Sequence, residues 1–284
     1  MEYSVFDAHC DTLCKLLDEG GVIEKNPYHV DMDGMKQYKK YTQIFACYIA
    51  PEYANSASER CMRLIDTFYR NDIKGILSIE GGECFTSLSA VRNFYRLGVR
   101  IATLTWNGAN HLASGADDPE KRLTEFGKSV LCEMDNVGML FDVSHLNDRS
   151  FYDAVSVWKK PIIATHSNSR SICPHRRNLT DEMFGIIKNS GGCVGINFYP
   201  PFLCEKGTAK IDDIIRHIEH FMGLGGEDNI GIGADYDGVD CLPDGITGCG
   251  DTYKVFDRLL GMNYSDEQIE KISHKNFERI FKDV

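Results

Sequence analysis

FDAHCDT, residues 6–12, is the stretch on which the reading of this chain turns. Tyr3, Val5 and Phe6 lead into it as a strand, and a period-two strand sets His9 and Asp11 on one face. An imidazole and a carboxylate converging at the C-terminal end of a strand suit a divalent cation, and barrel enzymes assemble their sites at that end. Alone, a His-x-Asp at a strand end more often makes a hydrogen-bonded turn. Its meaning depends on what recurs downstream.

Downstream, short β-rich runs alternate with amphipathic helical stretches, the pattern of repeated βα units around a parallel sheet. Strands are expected over residues 4–8, 43–49, 75–79, 100–105, 139–143, 162–165, 193–198 and 230–234. Helices are expected over 57–69, 88–97, 124–136, 148–158, 180–189 and 211–224, with two more over 252–260 and 265–281 that should close the barrel. Eight such units predict an α/β fold, a (β/α)8 TIM barrel with extra C-terminal helices, as a single domain over residues 1–284. No Gly-rich phosphate loop follows the first strand, which counts against a dinucleotide-binding sheet.

The 31 basic and 42 acidic residues give a formal charge of −11, and no basic run or basic helix face offsets it, so nucleic acid is excluded as a partner. There is no basic leader with an apolar core and no apolar run long enough to span a bilayer. A cytoplasmic protein with no membrane partner is expected. Eleven cysteines without a C-x-x-C pair read as reduced thiols, mostly core filler. Cys10, between His9 and Asp11, should face the other way.

Ionisable residues recur at the ends of the expected strands: Glu80 in LSIEGGE, His145 in FDVSH, His166 in IIATHS and Asp235 in IGIGADYDG. Singly, such a Glu is ordinarily a cap partner and such a His a hydrogen-bonded core residue. Jointly, six suitable residues at strand ends that share one barrel mouth fit paired divalent cations of zinc type. The remaining histidines, His29, His111, His175, His217, His220 and His274, fall elsewhere and read as structural.

With these residues in place the chain resembles the membrane dipeptidase (renal dipeptidase) family within the metal-dependent amidohydrolase barrels. The resemblance rests on DAHCDT, SIEGGE, LTWNGAN, LTEFGKSVLCEMDNVGMLFDVSH, THSNSRSICPHRRNLTDE, GINFYPPFL and GIGADYDGV, which together span nearly the whole chain. It implies two zinc ions, one on His9, Asp11 and Glu80 and one on Glu80, His145 and His166, with Glu80 bridging and taking part in catalysis. It implies that Asp235 handles the proton and that Arg177 in PHRRN holds the substrate's terminal carboxylate, a task suited to a planar guanidinium. Trp106, Asn197 and Tyr199 complete the implied substrate contacts. Trp106 stands where some members carry a histidine, so polarisation of the carbonyl would fall more heavily on the ions. The implied activity is hydrolysis of dipeptides, those with a C-terminal D-residue included, by a metal-bridged hydroxide, with a homodimer left open. Another amidohydrolase activity on the same barrel, such as a lactonase or deaminase, would not need Arg177 to meet a carboxylate. A non-catalytic metal-binding barrel would not keep Asp235.

Overall fold

A computed structural model describes residues 2–282 of the chain. Eight parallel strands run in chain order around a closed barrel. They are β1 (Ser4–Cys10), β2 (Lys40–Tyr48), β3 (Ile76–Glu80), β4 (Val99–Thr103), β5 (Leu140–Asp142), β6 (Ile163–Ala164), β7 (Cys193–Ile196) and β8 (Ile230–Ile232). Each expected strand is present, because strands covered on both faces read as short apolar runs. Six outer helices, Ala57–Arg70, Leu88–Arg96, Glu125–Val137, Asp148–Val157, Asp181–Asn189 and Ile211–Gly223, fall within two residues of expectation. Four of them start sharply because Ser87, Thr124, Asn147 and Thr180 each accept a hydrogen bond from the backbone N–H three residues on.

Side chains of Phe6, Ile44, Ile101, Leu140, Ile163 and Cys193 pack together inside the strands. From the C-terminal segment, Phe277 joins this interior layer and stacks on Phe6 with ring centroids 5.4 Å apart. A Cβ at Gly231 of β8 would lie 2.5 Å from the Phe277 ring, so a glycine is what admits it.

The C-terminal helices therefore plug the barrel rather than close it. Closure comes from β8 pairing with β1, Asp7 opposite Ile232. The expected helix over 265–281 is also broken: Asp266–Glu270 runs into a π-helical turn, Lys271–Lys275, before Asn276–Ile280. An extra residue per turn resets the helical phase there, which lets Ile269 and Ile272 face the outer core while Phe277 turns into the barrel. Three short helices, Thr12–Asp18, Met32–Met35 and Pro200–Leu203, lie outside the expected set. Among the described residues no helix is long and apolar enough to cross a membrane.

Candidate metal centre and substrate cavity

At the mouth of the barrel β1 departs from a simple pleat. Phe6 and Ala8, two apart, belong to the interior layer, and a continued pleat would turn Cys10 inward. The pairing of β1 with β2 shifts register between Asp7 and Cys10. His9 therefore reaches the mouth while Cys10 packs in the outer core. Asp11 is not a strand residue: with φ −105° and ψ 19° it is the first position after β1 and stands at the N-cap of the helix Thr12–Asp18, its side chain making no capping hydrogen bond. A strand end plus a turn, rather than one strand face, brings the two together, His9 Nε2 lying 3.3 Å from Asp11 Oδ2.

Glu80, the last residue of β3, presents its two oxygens to two different groups. Oε2 lies 3.2 Å from His9 Nε2, and Oε1 lies 2.6 Å from His145 Nε2 and 3.7 Å from His166 Nε2. Asp235 Oδ1 lies 3.8 Å from His9 Nε2. His145 (φ 72°) and Asp235 (φ 63°) both adopt the left-handed backbone region, which costs an L-residue roughly 1–2 kcal/mol. Gly238 has a close approach of its own, since a Cβ there would run into Asp11 Oδ2 and Asp235 Oδ1.

The imidazoles are held from behind. His145 Nδ1 donates to Asn107 Oδ1 at 2.8 Å. His166 Nδ1 donates to Thr165 Oγ1 at 2.9 Å, because that hydroxyl spends its only proton on the buried carboxylate of Asp142. Asp142 also accepts from the backbone N–H groups of Ser144 and Thr165. With both Nδ1 atoms protonated, the Nε2 lone pairs of His145 and His166 face each other across 2.8 Å. Two lone pairs so placed call for a shared electrophile, as does the buried Oδ1 of Asp11, which has no hydrogen-bond partner. Ligand atoms of His9, Glu80 and His166 lie within 4.8 Å of one another, as do those of His9, Asp11 and Asp235. Imidazoles with carboxylates at this spacing fit divalent cations of zinc type.

Electrostatics agree with that fit. Burial, then Asp11, pushes the Glu80 carboxyl up to about 7. Asp235 is raised mainly by burial, while burial and then Arg177 hold His145 well below its ordinary value. For His9 burial opposes the charge, but Glu80 and Asp11 outweigh it and raise the group. Crowded buried carboxylates of this kind are relieved by a cation.

A cavity of about 460 Å³ opens over the cluster. Glu80, His145, Asp235 and Arg177 line it, with Trp106 and Tyr199. The Arg177 side chain is buried, its Nε and Nη2 lack hydrogen-bond partners, and among the described residues it forms no ion pair. Asn197 stands apart from the other expected contacts. It is fully buried and does not line the cavity; its Nδ2 donates to Asp235 Oδ2 at 2.8 Å and its Oδ1 accepts from Tyr199 N at 2.6 Å. It lies behind Asp235 and holds that carboxylate.

Sequence reasoning missed Asn107, Thr165, Asp142 and Asp7. Asp7 accepts from the backbone N–H groups of His9 and Ala234, tying β1 to β8 under the site, and burial pushes it up to about 7. The available signal was polar residues inside otherwise apolar strands, as in FDVSH and IIATHS. Thr165→Val removes the link between Asp142 and His166, and we expect divalent-ion affinity to fall about 10- to 100-fold in a chelator competition, with Thr165→Ser restoring it. Parent affinity in the valine variant would show that the hydroxyl does not orient His166.

A family model described as membrane dipeptidase (peptidase family M19) matches residues 53–284. An uncharacterized dipeptidase of Schizosaccharomyces pombe is 31% identical over 301 residues, covering 89% of this chain and 72% of its own length. Among solved structures, dipeptidase AC, a metallo peptidase of family M19, superposes with a TM-score of 0.91 at 25% identity, over 99% of this chain and 98% of that one. A metallo peptidase from Rhodobacter sphaeroides, liganded with a phosphinate mimic of the dipeptide L-Ala-D-Ala, gives 0.89 at 24% identity over 99% of each chain, a likeness of fold.

Proposed function

The chain belongs to the membrane dipeptidase family, peptidase family M19, and is a metal-dependent dipeptidase; from that premise we propose that it works with two zinc ions as a single hydrolase domain, on dipeptides that include those with a C-terminal D-residue. The observation that carries the reading is the unpartnered, buried guanidinium of Arg177 lining the same cavity as the carboxylate–imidazole cluster. A buried cation without a partner is costly, and a substrate carboxylate would satisfy it. A lactonase or a deaminase would have no use for it.

His9, Asp11 and Glu80 would hold one ion, and Glu80, His145 and His166 the other. Bound there, divalent cations acidify water and polarise a carbonyl. Asn197 fixes one oxygen of Asp235 and leaves Oδ1 free in the cavity to take the proton of the attacking water and return it to the leaving amine. Arg177 would set the length of the substrate by holding its carboxylate. Trp106 contributes one N–H and a ring 6.1 Å from that of His145, with no titration of its own.

The test is Asp235→Asn. Turnover of L-Ala-D-Ala should fall by roughly 10² or more with metal content unchanged. Unchanged turnover would assign the proton to another group. Loss of metal together with activity would make Asp235 a ligand, a role its place in the second donor triad allows.

A further inference from the structure

Apart from the residues given roles above, the lining of the cavity divides by arc. Trp106 follows β4, and Tyr199 and Phe202 follow β7, so this side of the cavity is aromatic. Arg177 belongs to it, its Cζ lying 5.6 Å from the Phe202 ring centroid. On the β8–β1 side every added charge but one is negative: Asp237 and Asp240 follow β8, and Lys15, Asp18 and Glu19 lie on or just beyond the helix that follows β1.

Two of those carboxylates are neutralised locally. Lys15 Nζ is 2.7 Å from Glu19, and Arg60, from the helix Ala57–Arg70, grips both oxygens of Asp18 at 2.6 Å. Asp237 is buried, its oxygens accepting from Thr12 Oγ1 and His29 N; Asp240 is exposed and pairs with no Lys or Arg among the described residues. Cys14, on the helix after β1, and Val239, after β8, also line this side of the cavity and offer low polarity that suits a hydrocarbon stem.

A dipeptide whose carboxylate sits on Arg177 keeps its C-terminal side chain on the aromatic arc and sends its N-terminal residue across the cluster toward β8 and β1. We propose that this arc is the subsite for the N-terminal side chain and that it selects lysine or arginine there, the stem against Cys14 and Val239 and the cation facing Asp240. The inference rests on the dipeptidase reading and adds a substrate class to it.

The holoenzyme would be assayed on three dipeptides with C-terminal leucine and N-terminal lysine, norleucine or glutamate; norleucine keeps the stem of lysine without its charge. At low ionic strength kcat/KM for the lysine substrate should exceed that for norleucine by up to about fivefold, the scale of one ion pair with an exposed carboxylate, with glutamate below both. Added salt should narrow the ratio. Asp240→Lys should bring the lysine-to-norleucine ratio to about one or below. Equal rates on all three substrates in the parent, or a ratio that Asp240→Lys leaves intact, would overturn the subsite while leaving the dipeptidase reading standing. Hydrolysis of none of them by metal-loaded protein would overturn both.

Discussion

Glu80→Gln is expected to lose both ions together and to lower turnover by more than about a hundredfold. One carboxylate serves two groups of donors, with Oε2 toward His9 and Oε1 toward His145 and His166. Glutamine keeps the shape but offers one carbonyl oxygen and one NH2, which cannot ligate a cation as a second carboxylate oxygen does. Removing even an indirect support of a metal ligand costs 10- to 100-fold in affinity, and a shared ligand should cost more. Stability separates this loss from misfolding. The Glu80 carboxyl is pushed up to about 7, chiefly by burial. Because its folded value exceeds its unfolded one, its ionisation destabilises the metal-free fold increasingly as pH rises from the ordinary carboxylate range toward 7. Metal-free Glu80→Gln should therefore melt no lower than the metal-free parent at neutral pH, whereas added zinc should raise the melting temperature of the parent alone. Two ions bound with parent affinity in the glutamine variant would remove the bridging assignment.

The same residue shows what could be read from sequence. Glu80 ends an apolar strand, and so do, within a few residues, His9, His145, His166 and Asp235; eight such strands can share a mouth only in a barrel. The place of the cluster was legible for that reason. Its local geometry was not. The pleat rule alone would send Cys10 inward with Phe6 and Ala8, and only the register shift with β2, a property of the pairing, substitutes His9. The resemblance gave Asn197 as a substrate contact, whereas the turn after β7 sets its amide against Asp235 Oδ2. The support of His166 joins Thr165 to Asp142, 23 positions apart, and a contact between neighbouring strands leaves no local trace. The helix Thr12–Asp18 has only Thr12, Leu13 and Leu16 buried, too few apolar positions to announce a period, yet it carries Lys15 and Asp18 to the rim.

Arg177→Met is expected to abolish the discrimination by length that makes a dipeptidase of this barrel. In the parent the guanidinium is buried with Nε and Nη2 unpartnered. Burial depresses its pKa, and the Asp235 and Glu80 charges oppose that depression, so the cation persists without a salt bridge of its own. A dipeptide brings a carboxylate two bonds beyond the scissile nitrogen; a C-terminal amide brings no charge, and a tripeptide brings its charge one residue too far. Losing one partner of a buried, hydrogen-bonded charge pair costs about 2–5 kcal/mol, or roughly 30- to 4,000-fold in kcat/KM. The bland alternative is that Arg177 merely supports the start of the helix Asp181–Asn189, but that helix is capped by Thr180, whose side chain accepts from Met183 N. The measurement is kcat/KM for L-Ala-D-Ala, its C-terminal amide and a tripeptide extended at the C-terminus, in the parent and in Arg177→Met. The parent should reject the amide and the tripeptide by at least the lower bound of that range. Methionine, which keeps the stem and drops the charge, should slow the dipeptide toward the rate of its amide while metal content stays at the parent level. Equal rates on all three substrates in the parent would refute carboxylate capture by Arg177, whatever the fate of the ions.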